Sequence, residues 1–195
     1  KAQGALAIPV VLYGNRNFDD GLMELKNVMR DNGFMPVAAG AFVGEHSFST
    51  ILGAGRPDAD DMALVDELAH KAAEKVKGLT QAPPQAVEVE GCDPIRPYYT
   101  PRDRHGEPIK DFLKAKPKTD PDKCVKCGLC ARLCPMGSID PEDVSNVVGK
   151  CIKCCACVKK CPMGAKYFDH EGYLYHQHEL EDQYAGRRAP SKIFL

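Results

Sequence analysis

The sequence predicts an α/β plus α+β chain, in which a partial doubly wound strand–helix segment precedes a small module organised by cysteines. Three observations carry this. Apolar runs alternate with helical stripes over residues 1–78, eight prolines crowd residues 79–123, and nine of the ten cysteines lie between Cys124 and Cys161. These divisions predict a β-α-β-α segment at 1–78, a proline-rich connector at 79–123, the cysteine module at 124–168 and a C-terminal tail at 169–195.

Val10 to Tyr13 form a short continuous apolar run ending at Gly14, the pattern of a buried parallel strand. Phe18, Leu22, Leu25 and Met29 then fall on one helical face, and Asn32-Gly33 supply the stop. A second strand follows at Val37 to Val43. From Asp58 to Lys77 a second helix is predicted, with Pro57 and Asp58 at its start, acidic residues in its first turn and a stripe of Met62, Val65, Leu68, Ala72 and Val76. Such alternation builds doubly wound sheets. Two strands and two helices leave apolar faces without partners, so further strands, a companion chain or cover from the rest of this chain are expected.

Proline fixes φ and removes an amide donor, so the connector is expected to run extended over a surface, interrupted only by the alternating Val87-Glu88-Val89. The tail is rich in Tyr and His. A short helix is expected near His178 to Tyr184, and Ile193-Phe194-Leu195 is expected to dock on the protein itself.

Composition excludes several classes. With 26 basic and 27 acidic side chains, the chain has no general attraction to nucleic acid or an anionic bilayer. Its longest apolar run, Ala5 to Tyr13, is about half of the roughly 20 residues that a spanning helix needs. The expectation is a soluble, cytoplasmic protein.

The cysteines form an internal repeat. CVKCGLCARLCPMG at 124–137 aligns without gaps on CIKCCACVKKCPMG at 151–164, with 8 of 14 positions identical. Each copy reads C-x2-C-x2-C-x3-C-P, the bacterial motif for [4Fe–4S] clusters, whose fourth cysteine ligates the other cluster. One cluster is therefore assigned Cys124, Cys127, Cys130 and Cys161, and the other Cys134, Cys151, Cys154 and Cys157. Eight thiolates also suffice for two zinc sites, but zinc ribbons use separated C-x2-C pairs and need neither a third cysteine nor the proline. Met136 and Met163 read as polarizable packing. Cys92 and Cys155 fall outside the ligand set and are expected to be packed, uncoordinated thiols.

Charge agrees with the cluster reading. From Pro117 to Phe168 there are nine Lys or Arg against five acids. That surplus offsets the negative charge of clusters ligated by thiolates, and it also suits docking to an acidic partner.

The cysteine module resembles two-cluster bacterial ferredoxins. With YGNRNFDD, GAFVGEHSFS and GRPD ahead of it, the chain as a whole resembles the flavodoxin–ferredoxin fusion proteins of anaerobic bacteria and archaea. Its first part matches only the C-terminal half of a flavodoxin-like domain. This resemblance implies that Gly14, Asn15, Arg16, Asn17 and Phe18 border the isoalloxazine of FMN, with Phe18 stacking on the ring. Phe18 equally begins a core stripe, and Arg16 equally suits a solvated loop. Glu45 and His46 follow a strand end where open sheets place ligands, although His46 fits a hydrogen-bonded loop residue better than a proton donor.

No Ser/Thr/Gly/Asn-rich phosphate loop precedes Pro9, and the first three strands of that fold are absent. The chain is accordingly expected to be part of a longer protein or to complete its sheet with a companion chain. The leading functional expectation is electron transfer with redox protein partners through two [4Fe–4S] clusters, coupled to FMN in the complete protein. The alternatives are a flavin-dependent reductase fed by the clusters and acting near Phe18 and His46, and a docking module of a larger redox complex. No G-x-G-x-x-G dinucleotide fingerprint follows a strand.

Overall fold

The computed structural model describes residues 2–195. The chain forms two compact units. One takes the chain as far as His46, then Thr50–Tyr98 and Tyr184–Leu195; the other takes Ser47–Ser49 and Tyr99–Gln183. The proline-rich connector is thus shared between them.

In the first unit, β1 (Leu6–Ala7) and β2 (Val10–Tyr13) pair in parallel with β3 (Met35–Pro36) and β4 (Ala39–Val43), respectively. The strand predicted at Val37 to Val43 therefore starts at Ala39, behind a separate two-residue strand. Pro9 and Pro36 stand at these breaks, where a missing N–H interrupts the ladder. The three-stranded sheet runs β2-β4-β7, with β7 (Lys192–Phe194) antiparallel to β4 and Ala39 opposite Phe194. The apolar terminus docks on its own protein, as an added strand.

Helix α1 (Gly21–Asp31) and helix α2 (Ala59–Lys77) follow β2 and β4 in sequence. Phe18 precedes α1 and does not begin its stripe. Side chains alternate along a strand, and the fully buried β4 shows it. Ala39 and Ala41 pack with Leu22, Val87, Val11, Tyr13 and Phe18, while Phe42 packs with Leu68, Ala72, Leu64 and Val65. α1 and α2 thus cover opposite faces. A Cβ on Gly40 would stand 2.5 Å from the Phe42 ring and 3.0 Å from Leu68, so the bare backbone lets α2 approach. Val87 and Val89 form no strand, yet they seal the α1 face, and the Val87 amide donates to Pro36 O over 2.8 Å.

Edge strand β2 is covered on one face only. Val11 and Tyr13 pack toward α1, whereas Val10 and Leu12 are 44% and 73% exposed. A parallel strand normally has both faces buried.

α2 starts from a capping box: Asp58 Oδ1 accepts the Asp60 and Asp61 amides, and Asp61 Oδ2 accepts the Asp58 amide. The buried Asp61 carboxylate also pairs with the Arg56 guanidinium and accepts the Ser191 hydroxyl over 2.6 Å, while Ser191 Oγ accepts the Val43 amide.

In the second unit, β5 (Lys118–Thr119) and β6 (Lys166–Tyr167) form an antiparallel pair, and α3 (Leu129–Leu133) packs on α4 (Ala156–Lys159). Helix α5 (Glu171–Tyr184) is longer than the expected helix at His178 to Tyr184 and buries Tyr173, His176 and Leu180. Its core joins Ala115, Cys155, Phe168 and Tyr173 with Phe48, Phe112 and Leu174. No helix among the described residues is long and apolar enough to cross a membrane.

Candidate metal centre

The two cysteine copies fold alike because their backbones make the same turns. Lys126 and Lys153 are left-handed at φ 54° and 57°, and Gly128 and Cys155 at 71° and 56°. Each copy then starts a short helix that carries its third cysteine, Cys130 on α3 and Cys157 on α4. After the fourth cysteine, the Ser138 amide donates to Cys134 Sγ and the Ala165 amide to Cys161 Sγ, both over 3.3 Å.

This geometry encloses two cavities, with about 370 and 390 Å³ of empty space including their open mouths. Cys124, Cys127, Cys130 and Cys161 line the first, together with Val125, Leu129, Leu133, Val144 and Pro162. Cys134, Cys151, Cys154 and Cys157 line the second, with Ile139, Ile152, Phe168 and the extra thiol Cys155. Cys157 borders both cavities. Five cysteines thus line each cavity, and in each the fourth cysteine of one copy meets cysteines of the other.

The donor chemistry fits an iron–sulfur cluster. All ten cysteines are free of disulfides. Cysteines spread around an apolar hollow suit a group with several irons. Burial alone would push the Cys134 and Cys161 thiols up, but several backbone N–H groups at each sulfur prevail and both lie below the ordinary value. Burial pushes the Cys157 thiol up to about 12.

Two lysines of the module are buried. Lys153 Nζ donates to Leu113 O over 2.9 Å and lies 5.5 Å from the Phe112 ring centroid; Lys166 Nζ donates to Val144 O. Burial lowers the Lys153 pKa. Cations taken out of water favour a nearby anion, which thiolate-ligated clusters supply.

The residues outside the ligand set divide. Cys155 is buried as expected, 4% exposed, whereas Cys92 is exposed, contrary to expectation. The Cys92 amide donates to Asp20, which also binds Arg96, so the connector is held there by its backbone and the thiol is left outside. Tyr173, Phe112 and the burial of Lys153 escaped sequence reasoning, because no local spacing relates them to the cysteines.

The Gly14–Phe18 loop has partners of its own. Asn15 is buried at φ 68°; its Nδ2 donates to Tyr184 O and Arg187 O over 2.9 and 3.0 Å, and its Oδ1 accepts the Ala189 amide over 2.9 Å. Arg16 pairs with Asp19, Asn17 Oδ1 accepts the Asp19 amide, and Phe18 meets the Tyr13 ring edge-on at 5.4 Å. Gly14 lies against the His46 ring, and Glu45 accepts the Gly55 amide.

The family model for the 4Fe-4S dicluster domain matches residues 116–169. That stretch holds nine of the ten cysteines and constitutes a ferredoxin-like iron–sulfur module, with electron transfer as the activity the match supports. No curated protein matches the chain.

Proposed function

We propose that this chain transfers electrons through two [4Fe–4S] clusters, one held by Cys124, Cys127, Cys130 and Cys161 and the other by Cys134, Cys151, Cys154 and Cys157. The observation that carries this reading is the lining of the two cavities: Cys161 of the second copy joins Cys124, Cys127 and Cys130 at the first, which Cys157 also borders, and Cys134 of the first copy joins Cys151, Cys154, Cys155 and Cys157 at the second. Bound there, each cluster accepts and releases single electrons. The protein performs the supporting work. The cysteines ligate as thiolates, and the Ser138 and Ala165 amides stabilise the sulfur charge. Leu129, Ile139 and Phe168 keep water back, and Lys153 and Lys166 offset negative charge.

The finer part of the proposal is coupling to FMN in a completed first unit. The resemblance to flavodoxin–ferredoxin fusions motivates it, and the bare edge and face of β2 at Val10 and Leu12 support continuation of the sheet by a companion chain or by more of a longer protein. The Gly14–Phe18 loop alone does not fit a flavin, since Phe18 packs in the core and the Asn15 amide group binds residues 184–189.

Anaerobic reconstitution followed by iron and acid-labile sulfide analysis tests the cluster reading. About eight of each per chain are expected; two zinc ions without sulfide would sink it. Cys130→Ser should damage the first cluster and spare the second, and equal loss of both from a folded chain would overturn the crossed ligand assignment.

A further inference from the structure

We propose that the Tyr173 hydroxyl selects which four of the five cysteines lining the second cavity bind its cluster, holding Cys155 aside as a reserve ligand. The inference rests on the ligand assignment given above. Cys155 replaces the Gly128 of the other copy at a left-handed position, with φ values of 56° and 71°. A residue with a Cβ pays roughly 1–2 kcal/mol there, so the side chain calls for a compensating role. The first copy shows that the turn itself needs none. Where a Cβ on Gly128 would stand, the nearest atom is Arg132 Nη1 at 3.2 Å.

The thiol is held on both sides. Cys155 Sγ donates to Lys153 O over 3.4 Å, which leaves Tyr173 as the donor in the 3.1 Å contact between its hydroxyl and the sulfur. Tyr173 cannot swing away easily. It is 2% exposed and stacks on Phe168 at 4.1 Å with 14° between the rings; Phe112 stacks at 6.1 Å and 15°.

Cys155 also lines the second cavity and adjoins Cys154 in sequence. Exchange therefore needs a local rearrangement rather than refolding. The iron–sulfur bond to Cys154 would break, a bond to Cys155 would form, and the Cys155 thiol proton would pass to the released Cys154 thiolate. No oxidation or reduction is involved. Removal of the hydroxyl with the ring retained should make this exchange available.

The test measures iron, sulfide and the electron paramagnetic resonance of the reduced full-length chain after anaerobic reconstitution. Cys154→Ala should keep about half the iron, because Tyr173 still restrains Cys155. Cys154→Ala with Tyr173→Phe should return toward about eight irons per chain, and adding Cys155→Ala should abolish the gain. Tyr173→Phe alone should keep its iron and show a second cluster signal that disappears with Cys155→Ala. Full iron in Cys154→Ala with Tyr173 intact, no gain on adding Tyr173→Phe, a gain that survives Cys155→Ala, or iron loss by Tyr173→Phe alone would each overturn the inference. Zinc without sulfide in the unchanged chain would instead overturn the underlying cluster reading.

Discussion

The Ser138 amide donates to Cys134 Sγ over 3.3 Å. Hydrogen bonds to cluster sulfurs favour the more negative, reduced state and raise the potential. Ser138→Pro removes this donor and should lower the potential of the cluster bound through Cys134 while sparing its neighbour. Ser138→Ala is the control, since it loses only the hydroxyl that donates to Lys150 O. Redox titration followed by paramagnetic resonance separates them; equal potentials in the proline and alanine variants would deny the amide a role.

Arg56 and Asp61 set an acid limit on the first unit. The Arg56 hydrogen bond, opposed by burial and aided by Ser191, holds the Asp61 carboxyl well below the usual carboxylate range. A carboxyl depressed by folding contributes its full stability above its unfolded value, about 3.9, and loses it as pH falls through the folded value. Asp61→Asn should destabilise this unit by about 3 kcal/mol at pH 7, with the difference shrinking below about pH 4. Amide hydrogen exchange at Val43 provides the readout, and a pH-independent difference would remove Asp61 as the cause.

Local signals made the cysteine module and much of the first unit legible. Ligand spacing survives folding unchanged, and the run Val10 to Tyr13 became β2 over those same residues. Long-range pairings left no such trace. β7 joins β4 from some 150 residues away, and three apolar residues at a terminus do not name the edge they will take. α5 was only half legible because its buried face at Tyr173, His176 and Leu180 includes a histidine, which blurs an apolar stripe. The fate of Cys92 depended on backbone contacts to Asp20 that a sequence does not display.

Leu12 gives a test of the bare edge. At 73% exposure its side chain contributes little to this fold, so Leu12→Lys should change stability by no more than about 0.5 kcal/mol. A charge on an edge strand blocks pairing with other chains. The substitution should therefore reduce concentration-dependent association in sedimentation without altering iron content. A large loss of stability would show that Leu12 is buried in the working protein.

Asn15 pins the end of the chain through its side chain, taking two carbonyls and one amide from residues 184–189. Asn15→Gly tolerates the left-handed backbone and removes all three hydrogen bonds. Because hydrogen bonds contribute about 1 kcal/mol each, their loss should loosen Arg187 and Arg188 before the rest of the unit opens. Limited trypsin digestion should cut at these arginines severalfold faster than in the unchanged chain, while helix content by circular dichroism stays constant. Unaltered cleavage would mean that the Ser191–Asp61 contact and β7 pairing hold the segment without Asn15.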